Sequence, residues 1–553
     1  MIKSPLQKAR SKYIPKLPKS LEENVALISG EASEAIADKE AIKQIFPNTY
    51  GLPLVTFESG EISENQILNV GVVLSGGQAP GGHNVISGLF DAFKKLNNHS
   101  KLFGFIGGPD GLLDNAFIEL DCAIVSEYRN TGGFDIIGSG RTKIEDEESY
   151  DKVIANCLKN NINALVIVGG DDSNTNACVL AEYFKEKKAG IQVIGCPKTI
   201  DGDLKNDFIE TSFGFDTACK VYSELIGNIQ RDANSAKKYW HFIKLMGRSA
   251  SHISLECALK TQPNIAIISE EIEKYKLTLN KIVGQIAEVV KKRANKGENF
   301  GTVLIPEGLV EFMPSIKKLI AELNDILASK PEYHQLATSQ EKRDFIAALL
   351  SEESAKVYSS LPASFAKQLT LDRDPHGNVQ VSKIETEKLL IDMVADRLAK
   401  DQSFHGKFNA QNHFFGYEGR CAAPSNFDAD YCYSLGYTAA LLINSGKTGY
   451  MAFIKNTTKN TDEWIAGGVP ITMMMNMERR NGHVKPVIQK ALVDLKGNPF
   501  LQFRTKRKEW ADNTNYIYPG PIQYFGPTEV CDTPSETLLL ECESTIQNEF
   551  LPV

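Results

Sequence analysis

Residues 191–206 read IQVIGCPKTIDGDLKN. The apolar run Ile191 to Ile194 has the character of a buried strand, and it leads straight into Lys198, Thr199, Ile200, Asp201, Gly202 and Asp203. Open α/β sheets do their chemistry at the carboxyl ends of parallel strands. Asp201 and Asp203, one residue apart and close to a lysine, suit that position. A carboxylate there takes a proton from a hydroxyl, and a lysine holds a phosphate. Taken singly the segment reads equally well as a polar surface turn, so the decision rests on what surrounds it.

Outward from this stretch the pattern alternates. Short apolar runs at 69–74, 102–106, 163–168 and 191–195 each precede a glycine-rich or polar turn, and helical patterns follow at 83–96, 149–159 and 173–187. Strand–turn–helix repetition predicts an α/β fold with a doubly wound, Rossmann-like parallel sheet. A second series predicts a second such unit: a helix from 212 to about 230, a strand at 239–245, a helix at 249–260, a strand at 264–268, a long helix from about 275 to 293 and a strand at 302–305. Residues 310–400 carry helical periodicity, as in IKKLIAELNDIL and TEKLLIDMVADRLAK. They predict a helical insertion, with a turn between helices at 372–378. The first 65 residues and the last 30 have weak patterns and are expected as extensions wrapped on the surface.

At 553 residues the chain exceeds what one core usually holds, so two or three domains are expected. A net charge of −8 argues against a general nucleic-acid binder. No apolar run approaches the ~20 residues of a membrane span. The opening residues MIKSPLQKARSKYIPKLPKSL lack the apolar stretch of a signal peptide. The ten cysteines are scattered without a CxxC pair, as expected of reduced thiols in a cytoplasmic protein.

Several further constellations carry chemistry. Ser75-Gly76-Gly77-Gln78-Ala79-Pro80-Gly81-Gly82 lies between a strand and a helix. Glycines there let backbone N–H groups approach phosphate oxygens, and the following helix N-terminus adds a favourable dipole. The loop is neither GxGxxG nor a Walker A motif. Gly169-Gly170-Asp171-Asp172-Ser173-Asn174 repeats the arrangement with two adjacent carboxylates, which suits a phosphate site if one of them binds Mg²⁺. An aspartate acting only as a helix cap is the plainer alternative. Gly138-Ser139-Gly140-Arg141 is a glycine loop ending in a cation. Met246-Gly247-Arg248, Ile305-Pro306-Glu307-Gly308 and Tyr417-Glu418-Gly419-Arg420 each set one polar residue beside glycine near a strand end. An arginine with a tyrosine holds a sugar phosphate, and a glutamate accepts a sugar hydroxyl. Each of these three reads singly as surface charge or packing.

Together, in this order from about residue 69 to 450, these elements resemble the phosphofructokinase family, and more narrowly its long, pyrophosphate-dependent branch. Members that use ATP carry glycine where this chain has Asp172, and usually glycine where it has Lys198. The chain also departs from the bacterial ATP-using pattern at Tyr417, where histidine is expected, and at Tyr239, where arginine is expected. The resemblance implies two α/β domains: residues 69–210, with a return segment 421–525, bind the donor, and 211–420, including the insertion, bind the sugar phosphate. Residues 1–68 and 526–553 are then terminal extensions.

The reaction it implies is reversible phosphoryl transfer from pyrophosphate to the 1-hydroxyl of fructose 6-phosphate. Asp201 is the implied general base and Asp171 the implied Mg²⁺ ligand. Gly76, Gly77, Arg141, Lys198 and Ser173 are the implied pyrophosphate contacts. Thr199, Ile200, Asp203, Met246, Gly247, Arg248, Glu307, Tyr417, Glu418, Gly419 and Arg420 are the implied sugar-phosphate contacts. Lys238 and Tyr239 are implied to reach the pocket of a neighbouring subunit in a homodimer. A carboxylate at 172 fills the space that the α-phosphate of ATP would need, and Lys198 attracts the outer phosphate of the short donor. The competing expectations are an ATP-dependent enzyme of the same family and a catalytically silent subunit that only binds sugar phosphates.

Overall fold

The strands Asn69–Leu74, Ala164–Gly169 and Gln192–Pro197 are runs of apolar residues buried almost throughout, as strands covered on both faces must be. They are mutually parallel, with Val70 beside Ala164 and Val166 beside Ile194. In this computed structural model the described residues are 3–22, 24–60, 66–370, 383–480, 483–522 and 528–543. The turn expected at 372–378 lies outside them.

The chain divides into two compact units. The first comprises Met1–Val221, Tyr417–Ala491 and Pro521–Leu538, and the second Tyr222–Gly416, Leu492–Gly520 and Leu539–Val553. In the first, a nine-stranded sheet runs in the order Val25–Ala32, Pro53–Ser59, Ile465–Pro470, Tyr450–Lys455, Gln192–Pro197, Ala164–Gly169, Asn69–Leu74, Lys101–Phe105, Phe117–Glu119. The five from Tyr450–Lys455 to Lys101–Phe105 are parallel, and antiparallel pairings extend both edges. Helices follow the parallel strands at Gly82–Leu96, Glu147–Lys159 and Asp171–Glu186, close to the expected positions.

The N-terminal residues are not a surface wrapping, as expected from their weak pattern. Two of their segments are strands of the sheet, and Ile42, Phe46, Val55 and Phe57 are buried. A buried carboxylate fastens them further: Glu182 accepts from the backbone N–H of Asn48 and Thr49 and from both side chains. Strand propensity is weak evidence in a short segment whose partner is far away in sequence. The C-terminal residues are likewise anchored, with Cys531 and Leu538 buried and Lys220 donating to the carbonyls of Cys531 and Thr533.

The second unit holds a four-stranded parallel sheet in the order Ala410–Phe415, Tyr239–Leu245, Phe300–Pro306, Ile265–Ala266. The first of these strands went unread, because its sequence, AQNHFF, is half polar. The expected long helix at 275–293 is present as Leu279–Ala294, starting where Thr278 caps it by accepting from the N–H of Lys281, and a short separate helix, Ser269–Lys274, precedes it. The insertion is helical as expected. Helices Pro314–Ser329, Ser339–Leu349, Glu352–Ser360 and Thr386–Lys400 bury Leu319, Leu323, Ile346, Tyr358, Leu390 and Val394 in one core with Trp240 and Phe242 of the sheet. One buried ion pair also ties this insertion to the sheet: Lys244 meets Glu387 at 3.3 Å and donates to the carbonyl of Ile384.

Candidate active site

The carboxyl ends of three neighbouring parallel strands carry the constellation in the first unit. Beyond Leu74, Ser75 bridges to Gly140, and the N–H of Gly76 donates to the carbonyl of Gly140 at 2.8 Å. The glycine loop and the loop bearing Arg141 are therefore joined. Gly76 has φ +86°, in the left-handed region that favours glycine. A Cβ on Gly77 would stand 2.8 Å from Nη1 of Arg420 and 3.3 Å from Nη2 of Arg141. Arg420 also donates to the carbonyl of Gln78 at 3.1 Å. Expected as a sugar-phosphate contact, Arg420 lies against the glycine loop.

Beyond Gly169, the helix Asp171–Glu186 begins with Gly170 as its N-cap. Asn174 donates to the carbonyls of Gly169, Gly170 and Cys196, so it locks two strand ends together. Ser173 donates to the Ser75 hydroxyl at 2.8 Å, which ties this helix to the glycine loop. Asp171 is partly buried and Asp172 is exposed on the same first turn. Carboxylates are favoured at that end of a helix by its dipole.

Beyond Pro197, Lys198 pairs with Phe213 in an isolated bridge, and its N–H donates to the carbonyl of Gly169. The Thr199 hydroxyl accepts from the N–H of Asp201 at 3.1 Å, and Ser212 fixes the Thr199 carbonyl. Ile200 is buried beneath the turn. Gly202, at φ +75°, lets Asp201 and Asp203 follow one another through a tight turn. Oδ1 of Asp201 is buried without a hydrogen-bond partner among the described residues.

Charge is concentrated here. Burial pushes the Lys198 ammonium down to about 7; Arg420 and Arg141 add to this, and Asp201 and Asp171 oppose it. Burial, then the charge of Asp201, raises Asp203 to about 7, against the pull of Lys490. Lys490 was not singled out from the sequence: its surroundings, IQKAL, carry no motif. Its Nζ lies 3.4 Å from Asp171 and 3.7 Å from Asp203.

A divalent cation fits these residues. No three acidic, histidine or cysteine side chains among the described residues converge as a cage. Mg²⁺ needs none, since it keeps several waters and takes one or two carboxylates plus substrate phosphates. Asp171 beside the glycine loop, with an orphaned buried carboxylate oxygen on Asp201, supplies hard oxygen donors of that kind.

The second unit holds the remaining residues. Met246 follows the strand Tyr239–Leu245, and its N–H donates to the carbonyl of Phe415. Gly247, at φ +139°, donates to Oε2 of buried Glu307 at 2.9 Å. A Cβ on Gly308 would meet the Arg248 carbonyl at 2.0 Å, so the two loops touch. Glu270, also not singled out, accepts from the N–H groups of Ser251 and Val493 and braces the same loop. Lys238 and Tyr239 are not brought to this place. They sit at the opposite end of the strand, where Tyr239 lines a shallow cavity of about 460 Å³ with Phe408 and Asn409. A seven-residue strand separates the two ends by roughly 20 Å. In the first unit, Tyr417 and Glu418 are exposed and Gly419 is buried.

Comparison with known proteins matches the phosphofructokinase family model over residues 69–443. The chain is 62% identical to the pyrophosphate–fructose 6-phosphate 1-phosphotransferase of Porphyromonas gingivalis, covering 98% of this chain and 99% of that one. It is 55% identical to the enzyme of the same name from Treponema pallidum, covering 97% and 96%. Among solved structures, a pyrophosphate-dependent phosphofructokinase from Nitrosospira multiformis shares the fold, with a TM-score of 0.54 at 16% identity over 81% of this chain and 93% of that one.

Proposed function

The chain belongs to the phosphofructokinase family, and from that premise we propose how its residues work. The reaction is reversible phosphoryl transfer from pyrophosphate to the 1-hydroxyl of fructose 6-phosphate, giving fructose 1,6-bisphosphate and phosphate. The observation that carries the assignment of residues is the convergence of Lys198, Arg141 and Arg420 on Gly76 and Gly77, beside a buried, unsatisfied oxygen of Asp201.

Pyrophosphate lies along the glycine loop. The backbone of Gly76 and Gly77 approaches its oxygens closely, Ser173 stands on the facing helix, and three cations neutralise its charge. Phosphoryl transfer needs little covalent chemistry from the protein, so positioning and charge neutralisation do most of the work. Asp201 takes the proton of the attacking hydroxyl. Its Oδ1 has no competing hydrogen bond to break first. Thr199, Ile200 and Asp203 hold that turn in place. Asp171 is the carboxylate that would hold Mg²⁺, which would supply neutralisation of the phosphate charge. Asp172, exposed beside it, occupies the room a longer donor would need.

Met246, Gly247, Arg248 and Glu307 present a backbone edge, a guanidinium and a carboxylate to the sugar phosphate. Lys238 and Tyr239 stand at the far end of that strand from Arg248, and in the homodimer that the family resemblance implies they would serve the partner's pocket. Ten free thiols suit a reducing, cytoplasmic compartment. Initial rates of the purified protein with pyrophosphate and with ATP test the donor. Turnover with ATP alone would overturn it.

A further inference from the structure

Lys490 is held more firmly than a surface lysine need be. It follows the hairpin of strands Met475–Arg480 and His483–Ile488. The N–H of Ile488 donates to Thr175 Oγ1 at 3.2 Å, on the helix that begins at Asp171, and the N–H of Gln489 donates to the Met474 carbonyl. On the other side, the N–H of Ala491 donates to the carbonyl of Asp203 at 2.8 Å. The backbone around Lys490 is therefore pinned to both loops whose carboxylates its ammonium faces. The side chain is 26% exposed, whereas those of Asp171 and Asp203 are 16% and 6% exposed. Asp171, Asp201 and Asp203 bring three carboxylates to adjoining strand ends, and like charges so placed repel one another unless a cation stands near.

We propose that Lys490 is a positioning residue of the phosphoryl-transfer site. It holds Asp171 and Asp203 in place before the donor arrives, and it gives up the Asp171 oxygen when a divalent cation binds. The proposal rests on the reading of Asp171 as the cation's carboxylate. An ammonium and a divalent cation compete for the same oxygen. Removing the lysine therefore strengthens cation binding to the substrate-free enzyme while weakening catalysis. A merely structural lysine moves neither in that pattern.

The test uses Mn²⁺ as the probe, with its binding to the full-length, substrate-free protein followed by electron paramagnetic resonance. Lys490→Met is expected to tighten Mn²⁺ binding about fivefold, the weight of a partly exposed charge contact. Its kcat is expected to fall about tenfold, with the KM for fructose 6-phosphate within about twofold, because what is lost is alignment in the transition state. Lys490→Arg, which keeps the charge, is expected to restore both values to within about threefold of wild type. Should Lys490→Met fail to fold, as judged by thermal denaturation, Lys490→Gln carries the same expectations. Unchanged Mn²⁺ affinity or unchanged kcat in the charge-free variant overturns the proposal. Asp171→Asn separates the two levels. If it abolishes Mn²⁺ binding while Lys490→Met leaves that binding unchanged, only the role of Lys490 falls. If Asp171→Asn leaves Mn²⁺ binding intact, the cation reading falls and the proposal with it.

Discussion

The ammonium of Lys198 lies 3.2 Å from the point where a Cβ on Gly76 would stand. The glycine thus does two things at once. It adopts φ +86°, which a side chain would strain, and it leaves the space through which the lysine reaches the loop. Gly76→Ala is expected to raise the KM for pyrophosphate at least about tenfold, as loss of a charge-assisted phosphate contact does. The KM for fructose 6-phosphate should stay within about twofold, because the change touches only the donor loop. Steady-state kinetics varying each substrate in turn check this, and a shift confined to the sugar constant would show that the loop serves the other substrate.

Lys198 sets a pH dependence. With its pKa lowered to about 7 by burial and by Arg420, the lysine is largely neutral in the empty site above that pH. Pyrophosphate stabilises the charged form, so the pKa rises on binding. Binding must then take up a proton at pH values above about 7, and affinity must fall as pH rises through that window. Calorimetry at pH 8 in buffers of different ionisation enthalpy measures the uptake. Subtracting the same measurement on Lys198→Met removes the contribution of pyrophosphate's own protonation. Equal uptake by the two proteins would sink the idea.

In the proposed mechanism Asp201 and the two arginines divide the remaining work. Asp201→Ser is expected to cut kcat by about 10²–10⁴, the usual worth of a general base, with little effect on thermal stability. The stability expectation follows from Oδ1 making no hydrogen bond that the fold would lose. A variant turning over at near-normal rates in both directions would remove the assignment.

Arg248→Ala should weaken fructose 6-phosphate alone, because Arg248 sits with Gly247, Glu307 and Gly308. Arg420→Ala should weaken pyrophosphate as well, because its guanidinium abuts Gly77 and bonds to Gln78. Each lost contact is worth roughly 1.5–3 kcal/mol, or at least about tenfold in the affected constant. If Arg420→Ala leaves the pyrophosphate constant unmoved, its closeness to the loop is packing only.

What could be read in the sequence follows from how local each signal is. Gly76, Gly77, Asp171, Lys198 and Asp201 lie on strand–turn–helix junctions, where the chain a few residues either side determines the geometry, so motif and place coincide. Arg420 and Lys490 reach the same loops from more than two hundred residues away. Nothing in YEGR reveals that its arginine lies against Gly77, and nothing in IQKAL reveals Asp171. The same limit explains the N-terminal strands. Pro53–Ser59 pairs with Ile465–Pro470, and that partner determines its place in the sheet.

Donor choice turns on Asp172. It stands exposed on the first turn of the helix that begins at Asp171, next to the carboxylate proposed to hold the metal. A carboxylate in that place crowds and repels the α-phosphate of a nucleotide but not the end of pyrophosphate. Asp172→Gly should therefore raise the use of ATP from near zero while the pyrophosphate reaction weakens. Exchanging aspartate for glycine at the second helical position also costs about 0.3 kcal/mol in helix propensity, and the loss of a favourable charge at the helix N-terminus adds to it, so a small drop in Tm is expected alongside. Lys198→Gly should act differently. It removes attraction to the short donor without opening space, so it damages the pyrophosphate reaction without admitting ATP. The proposed assignment puts both residues at one phosphate site, so the double variant should not show the sum of the two effects. The decisive quantity is the ratio of kcat/KM for ATP to that for pyrophosphate in wild type, both single variants and the double variant. If Asp172→Gly leaves the ratio where it was, the carboxylate is not the gate. Discrimination against ATP must then come from residues that would meet the nucleoside rather than the phosphates.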